Sequence, residues 1–234
     1  MSPISIDELN EILSECPNNK AAGVSGITYE LVKHSSKYFK AWLLKLYNGC
    51  IKTGSTPTNW KYVLFYPILK QMEWECDTNK TRPIVLLEIF RKIFSKAIIR
   101  RFSRTLVTHK VLKGNNSAGL PGGLTLEPIR TLNILMEDTT FNKKPMYIYF
   151  QDMSKAYDRV ALLVLKRVCY AALLIDAILS LFTDRENAII TNYGLSEPYN
   201  VITGIDQEKI ISPLLWVIYY DPLLTRLQSL TNYK

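Results

Sequence analysis

The sequence predicts an α+β fold. Its segments follow one another as helices, strands, helix, strand, helix, hairpin and helix, and not in the regular alternation of a doubly wound parallel sheet. One long stretch has apolar side chains at helical spacing, and several short runs have the β-branched and aromatic composition of strands. The 234 residues, 47% hydrophobic and 21% charged, suffice for one large domain or two small ones with a buried core.

The N-terminal third begins with a predicted short helix at residues 5–16, for which Ser5 is the expected N-cap. A loop leads to a predicted helix at 28–52, which Gly54 and Pro57 end. Three further segments follow: YVLFYPIL (62–69) predicts a strand, QMEWECDTNKT (71–81) a turn, and RPIVLL (82–87) a second strand.

The segment 88–108 is the most regular predicted helix, with apolar positions from Phe90 to Leu106 on one stripe. Its other face is basic, and no acidic residue occurs from 91 to 110. A face of one sign favours nucleic acid as a partner, and a solvated surface helix is the alternative. The basic residues are Arg91, Lys92, Lys96, Arg100, Arg101, Arg104 and Lys110.

The second half starts with a Gly- and Asn-rich loop at 114–123 and a predicted helix at about 126–138. MYIYFQDM (146–153) predicts a buried strand that ends in the carboxylate of Asp152, and 160–182 predict an apolar helix. The remaining elements are a hairpin of 186–193 with 198–203 and a helix from Ser212–Pro213 that Asp221–Pro222 breaks or restarts.

Charge and cysteine usage narrow the class of protein. Lys and Arg number 29 against 21 Asp and Glu, and this net charge of +8 favours nucleic acid or an anionic membrane as partner. An ordinary soluble basic protein is the alternative. Four scattered cysteines and two histidines argue against zinc and for reduced thiols. With no secretory signal and no apolar stretch long enough to span a bilayer, we expect an intracellular, soluble protein, nuclear or cytoplasmic.

The run YIYFQDMSKAYDRV delivers a carboxylate from the end of the predicted strand. Asp152 is followed about a turn later by Tyr157 and Asp158. This pattern indicates a Mg²⁺ ligand facing a phosphate, because Mg²⁺ binds one or two carboxylates together with substrate phosphate oxygens. In two-metal phosphoryl transfer such ions activate the attacking oxygen and stabilise the leaving one. The alternative is that Asp152 only caps the following segment.

The segment DMSKAYDRV resembles the first palm motif of reverse transcriptases, particularly those of non-LTR retrotransposons. NKAAGVSGIT resembles the N-terminal segment with a Gly-x-Asp-Gly core, and YPILK followed by TRPIVLL resembles the paired fingers motifs. SAGLPGGLTLEPI is similar to the segment around a Gln-x-Gly-Phe core, and GIDQEKIISPLLWVIYYDPLL to the second palm motif. These five matches occur in the family's order from about residue 17 to residue 227.

The resemblance implies the fingers and partial palm of a right-hand polymerase. Residues 1–145 would be the N-terminal extension and fingers, and 146–234 the partial palm, with a fingers-side hairpin near 186–203. The implied partners are an RNA template, a DNA primer and deoxynucleoside triphosphates, with Mg²⁺ as cofactor and no membrane. The implied reaction is attack of a primer 3′-hydroxyl on the α-phosphate of a deoxynucleotide, with pyrophosphate leaving.

The resemblance also implies roles for single residues. Asp152 would be the first metal-binding carboxylate, and the backbone carbonyl of Met153 a second ligand. Tyr157 would lie under the incoming sugar and exclude a 2′-hydroxyl, a packed core tyrosine being the alternative. Arg82 would clamp the triphosphate, which suits a bidentate guanidinium. Lys70 would add a point charge, and a solvated turn lysine is the alternative.

Gln207 would lie near the nascent base pair, whereas Asp158 and Ser212 are expected to be structural. The sequence departs from the family pattern at several positions. Glu208 replaces the glycine that normally follows the glutamine, which adds bulk and negative charge beside a triphosphate. The other departures are Ser25 in place of Asp, and Asn116 and Leu120 near the usual Gln and Phe.

The third palm motif, an aromatic-x-Asp-Asp turn, has no match, and no Asp-Asp pair occurs in the chain. We therefore expect a truncated domain with an incomplete palm sheet, no thumb and no activity on its own. One alternative is a decayed, non-catalytic remnant that only binds RNA or DNA through the basic helix. Another is an unrelated α+β interaction protein. The unpaired central strand further predicts poor solubility.

Overall fold

The fold is a mixture of helices and one sheet, as a computed structural model shows, so the α+β prediction is confirmed. The structure describes residues 2–70, 77, 80–113, 116, 126–162, 166, 172–206 and 211–231. Its helices are α1 (Ile6–Ser14), α2 (Tyr29–Lys33), α3 (Lys37–Thr53), α4 (Ile89–Thr108), α5 (Leu126–Phe141), α6 (Ala172–Ser180) and α7 (Ser212–Thr231). Its strands are β1 (Tyr62–Leu69), β2 (Thr81–Leu86), β3 (Arg185–Thr191), β4 (Gly194–Leu195) and β5 (Tyr199–Val201).

The five strands form one mixed sheet in the order β2-β1-β3-β4, and β5 pairs with β3 on the edge that β4 also occupies. β1 runs antiparallel to β2 and parallel to β3, with Tyr62 opposite Glu186. Val63 and Ala188 are fully buried in this parallel pair. The predicted strands at 62–69 and 82–87 and the hairpin of 186–193 with 198–203 are therefore confirmed.

The core is built around α4, whose predicted apolar stripe is confirmed by the burial of Ile93, Phe94 and Ile98. Tyr47 and Trp60 close the cluster, and their ring centroids lie 5.5 Å from that of Phe94. The Tyr47 hydroxyl donates to a backbone carbonyl of α4 at 2.9 Å, so its polar end is satisfied. Burial raises the pKa of Tyr47 well above its usual range.

The prediction of one helix over 28–52 is wrong, because the structure divides it into α2 and α3. Ser36 has extended backbone angles, and its side chain accepts a hydrogen bond from the backbone N–H of Phe39 at 3.2 Å. Serine is a strong N-cap, so it begins a new helix where apolar periodicity alone continues the old one. At the other end, Gly54 takes the left-handed conformation (φ 68°) and ends α3 as expected.

The prediction of a buried strand at 146–153 is also wrong. These residues form no strand, and large side chains are exposed there, Tyr147 to 94% and Phe150 to 78%. A strand needs neighbours for its backbone N–H and C=O groups, and no strand of the described residues pairs with this segment. The preceding helix α5 has no buried residue, so the two elements together expose an apolar surface to solvent.

Helix α7 begins at Ser212 as predicted but continues through Pro222 to Thr231. Burial of Leu214, Leu215 and Ile218 holds its first half against the core, which outweighs the hydrogen bond that proline removes. Most of the predicted turn 71–81, of the loop 114–123 and of the first part of the helix 160–182 lies outside the described residues.

Cys16 and Cys50 are buried free thiols, whereas Cys76 and Cys169 fall outside the described ranges. Burial raises the pKa of the Cys50 thiol to about 11. None of the helices traced within those ranges is both long enough and apolar enough to cross a lipid bilayer.

Candidate functional site

The β1–β2 hairpin brings the two predicted phosphate-binding residues to one end of the sheet. Arg82 lies opposite Ile68 in the antiparallel register, and the backbone N–H of Lys70 donates to the carbonyl of Lys80 at 2.8 Å. Opposite residues share a face of the sheet, as do residues two apart on one strand. Lys70, Lys80 and Arg82 therefore lie on one face at the hairpin end, where their charges add.

Asp152 and Met153 lie in the exposed, irregular segment that follows α5. Their carboxylate and carbonyl oxygens are donors of the kind that Mg²⁺ prefers. Across the part of the chain that the structure describes, no cluster of three or more His, Cys, Asp or Glu side chains could hold a metal ion. The donor chemistry thus fits Mg²⁺, but these residues do not by themselves form a closed coordination site.

Tyr157 opens a short 3-10 helix, Tyr157–Arg159, and its half-buried ring packs edge-on against Trp216 of α7. The two ring centroids are 6.4 Å apart and the planes meet at 82°. The backbone carbonyl of Tyr157 accepts a hydrogen bond from the N–H of Ile205 at 2.9 Å. The segment that contains Tyr157 is therefore joined directly to the residues that precede Gln207.

Gly204 is the point of closest approach between these two segments. A Cβ added to Gly204 would lie 2.7 Å from the carbonyl oxygen of Asp158, nearer than real Cβ contacts allow. Its φ of +83° also lies in the left-handed region that favours glycine. Glycine at this position thus has a local structural reason. Asp158 itself is exposed and serves the fold through its backbone.

Asp206 is buried between two arginines, and we call Arg91, Arg185 and Asp206 the Asp206 triad. Arg91 Nη2 donates to Asp206 Oδ2 at 2.6 Å, and Arg185 Nη1 donates to the other carboxylate oxygen. Each guanidinium also donates to a backbone carbonyl, Arg91 to that of Trp60 at 2.7 Å and Arg185 to that of Gly204 at 2.9 Å. Burial lowers the pKa of Arg185, while the Asp206 carboxylate opposes that shift.

Gln207 and Glu208 lie outside the described residues, but the chain on both sides of them is fixed. The Ser212 hydroxyl donates to the backbone carbonyl of Asp206, and both residues are buried. Ser212 begins α7 as predicted, and its hydroxyl also joins the two ends of the segment between Asp206 and α7.

The basic face of α4 is largely occupied by contacts within the chain. Arg91 is buried in the Asp206 triad, so the expectation that it lies on an exposed nucleic-acid face is wrong. Arg100 Nη2 lies 2.6 Å from Glu11 Oε1, and Arg101 forms an ion pair with Glu8. Two lysines of this face also have contacts within the chain, Lys92 with the carbonyl of Ala21 at 3.3 Å and Lys96 with the thiol of Cys16 at 3.4 Å.

A charge pattern in the sequence could have revealed this arrangement. Glu8, Glu11 and Glu15 are spaced three and four residues apart, so they share one face of α1. That acidic face is opposite in charge to the basic face of α4, and α1 packs against α4. Arg104 remains exposed beyond these pairs.

Comparison with known proteins finds that the chain is similar to retrotransposon proteins. No family model matches it. It is 22% identical over 232 residues to a protein of transposon TX1 from Xenopus laevis, described as an uncharacterized 149 kDa protein; the match covers 97% of this chain and 18% of that protein.

Two relatives from flies have names that state an activity. The chain is 22% identical to the probable RNA-directed DNA polymerase from transposon X-element of Drosophila melanogaster, over 94% of this chain and 24% of that protein. It is also 22% identical to the RNA-directed DNA polymerase from mobile element jockey of Drosophila funebris, over 93% and 24%. The chain thus spans a quarter or less of the relatives it matches. The resemblance to the reverse transcriptases of non-LTR retrotransposons is confirmed.

Proposed function

We propose that the chain is the fingers and the first part of the palm of a retroelement RNA-directed DNA polymerase. The observation that carries this proposal is the similarity to retrotransposon proteins over more than nine-tenths of the chain, with the predicted motifs in the family's order. The template is RNA, the primer is DNA, and the substrates are deoxynucleoside triphosphates. In the polymerase reaction this chain would contribute nucleotide binding.

In this proposal residues 1–145 form the N-terminal extension and fingers, and 146–234 form part of the palm. The sheet supports one detail of that division. β3 and β5 come from the second segment, yet β3 pairs with β1 of the first. This is the arrangement expected for a fingers-side hairpin near 186–203.

The nucleotide would lie against the cationic end of the β1–β2 hairpin. The planar guanidinium of Arg82 suits bidentate binding of a phosphate, and Lys70 adds a charge on the same face. Asp152 and the Met153 carbonyl would hold Mg²⁺ together with phosphate oxygens. When bound, Mg²⁺ would neutralise charge on the triphosphate. Tyr157 would bound the sugar, and Gln207, which follows the fixed Asp206, would contact the nascent base pair.

The test is the affinity of the chain for dTTP in the presence of Mg²⁺. We expect Arg82→Ala to weaken binding about tenfold or more, since a charge-assisted hydrogen bond contributes about 1.5–3 kcal/mol. Arg226→Ala, which removes an exposed arginine from α7, is the matched control and should leave affinity unchanged. Failure of the wild type to bind dTTP, or equal affinities of the two variants, would contradict the proposal.

Catalysis is tested separately, by primer extension on an RNA template with Mg²⁺. We expect the chain alone to incorporate no nucleotide. Incorporation that disappears in Asp152→Ala would show that this expectation is wrong.

The contacts of the α4 arginines do not support the alternative that the chain only binds RNA or DNA through α4. Arg91 is buried, and Arg100 and Arg101 are paired with glutamates of α1. Of the cations on this helix, Arg104 is the one we retain for a nucleic-acid contact, because its side chain is exposed.

A further inference from the structure

Helix α3 carries four lysines and no acidic residue. Its buried side is formed by Leu43, Tyr47 and Cys50. The opposite side combines exposed lysines with exposed aromatic rings, since residues three, four or seven apart share a face. We call this set the α3 outer face: Lys37, Tyr38, Trp42, Lys45 and Lys52.

Among the residues that the structure describes, the lysines of the α3 outer face have no acidic partner, unlike Arg91, Arg100 and Arg101 of α4. Within the described ranges, no carboxylate lies in ion-pair distance of Lys37, Lys45 or Lys52. The Lys37 ammonium lies 5.4 Å from the ring centroid of Tyr38, so charge and aromatic surface are in contact. The face extends along about 22 Å of helix, at 1.5 Å per residue.

The aromatic side chains of this face are unusually open to solvent. Tyr38 is exposed to 77% and Trp42 to 56%, although both belong to a helix with a well-buried opposite side. The Trp42 ring leans on Phe39, with 6.1 Å between centroids, which fixes its position. Exposed aromatic rings interleaved with lysines are typical of proteins that stack unpaired bases while neutralising phosphates.

A groove of about 630 Å³ adjoins Trp42. Trp60, Tyr62 and Phe90 contribute its apolar walls, and the exposed Asn59 contributes an amide at its rim. An amide offers both hydrogen-bond donors and an acceptor. Ser25 and Glu88 also line the groove, where they are hydrogen-bonded to each other. The apolar walls together with the Asn59 amide match the shape and chemistry of a nucleobase.

We infer that the α3 outer face and this groove bind single-stranded nucleic acid, with the lysines at the phosphates and Tyr38 and Trp42 stacked on unpaired bases. This site deepens the proposed function and rests on it for the identity of the strand, which is the template. Charge decides against a second copy of the chain, because two such faces would bring like charges together.

The stacking step is tested by fluorescence anisotropy with a labelled, unstructured oligouridylate. We expect Trp42→Ala and Tyr38→Ala each to weaken binding about fivefold or more, the lower end of the range for one stacked base. Tyr193→Ala is the matched control, because Tyr193 is a fully exposed tyrosine in the β3–β4 turn. A duplex should bind Trp42→Ala and the wild type with equal affinity, since the bases of a duplex are already stacked on one another.

The electrostatic step is tested by the salt dependence of the same binding between about 50 and 200 mM salt. The double variant Lys37→Gln/Lys45→Gln should lower the slope of log affinity against log salt by about 1.4, which corresponds to two lost phosphate contacts on a single strand. Lys143→Gln/Lys144→Gln, which removes two exposed lysines after α5, should leave the slope unchanged.

The outcomes separate this inference from the proposed function. Arg82→Ala should bind the oligouridylate as the wild type does, so loss of dTTP binding and loss of strand binding are independent results. The inference is overturned if the wild type binds no single strand, or if Trp42→Ala and Tyr38→Ala match Tyr193→Ala. It is also overturned if Trp42→Ala dissociates a dimer of the chain and leaves oligonucleotide affinity unchanged.

Discussion

Arg91 Nη2 lies 2.6 Å from Asp206 Oδ2, and both side chains are buried in the interior of the protein. Arg185 takes the other oxygen, so one carboxylate compensates two guanidinium groups that have lost their water. This carboxylate belongs to the residue immediately before Gln207. The chain immediately before Gln207 is therefore tied to α4 and to β3 by ionic contacts within the protein.

We expect Asp206→Asn to lower the free energy of unfolding by about 3–5 kcal/mol, because it leaves two buried guanidinium groups without a counter-charge. The measurement is urea denaturation followed by circular dichroism. Asp184→Asn is the matched control, since the Asp184 side chain is 94% exposed, and it should change stability by less than about 0.5 kcal/mol. Similar values for the two variants would mean that the triad adds nothing to stability.

Two glycines should respond to alanine in opposite directions. Gly204→Ala forces a Cβ against the Asp158 backbone in a left-handed conformation, and we expect a loss of about 2 kcal/mol or more. Gly49→Ala places a Cβ within α3 where no atom lies within 4 Å, and should raise stability by about 0.5–1 kcal/mol. Thermal unfolding of both variants checks the pair, and a stable Gly204→Ala would refute the close approach.

Ser25 and Glu88 form a coupled pair at the start of α4. The backbone N–H and the hydroxyl of Ser25 donate to the two carboxylate oxygens of Glu88, at 2.7 and 2.6 Å. Ser25→Asp, which introduces the residue usual in the family, brings two carboxylates together and should cost about 1–3 kcal/mol. Adding Glu88→Asn should recover most of that loss. Strictly additive effects in this double-mutant cycle would contradict the coupling.

The Cys50 thiol predicts a loss of stability at alkaline pH. Its pKa is raised to about 11 in the folded protein, above the value of about 9 expected when it is exposed. The unfolded chain therefore loses its thiol proton first, so this contribution is complete below about pH 9 and disappears as pH rises toward 11. Urea denaturation at these two pH values should show a larger loss for the wild type than for Cys50→Ala, and equal losses would exclude the thiol as the cause.

The segment after α5 predicts limited solubility of the isolated chain. Tyr149 is exposed to 85% and Phe150 to 78%, next to a helix with no buried residue. Contiguous apolar surface of this kind promotes association. We expect Tyr149→Lys/Phe150→Lys to raise the soluble fraction on expression, measured after centrifugation, whereas Tyr193→Lys should have little effect. A wild-type chain that is monomeric and unfolds cooperatively would contradict the prediction.

The elements that could be predicted from the sequence are those whose pattern is local. The periodic apolar stripe of α4 and the aromatic run of β1 determine their own secondary structure, and both lie where expected. The segment 146–153 has an equally strong strand pattern but forms no strand. A strand is completed only by a neighbour, which the composition of the segment does not supply.

The candidate site shows the same division between local and distant information. Arg82 and Lys70 could be placed together because a hairpin fixes its own register. The burial of Arg91 could not be predicted from the sequence of α4, because its partner Asp206 is more than a hundred residues away in the chain. The sequence shows that a helix carries basic residues. Whether those side chains are free to bind a ligand depends on which acidic residues pack against them in the fold.

The parallel pairing of β1 with β3 has a consequence for the order of folding. The two strands are about 120 residues apart in sequence, so β1 stays an open edge during synthesis until β3 has left the ribosome. The N-terminal segment therefore cannot complete its sheet alone. We expect nascent chains arrested before β3 to be sensitive to protease and prone to capture by chaperones, and the two halves of the chain to fold as one cooperative unit.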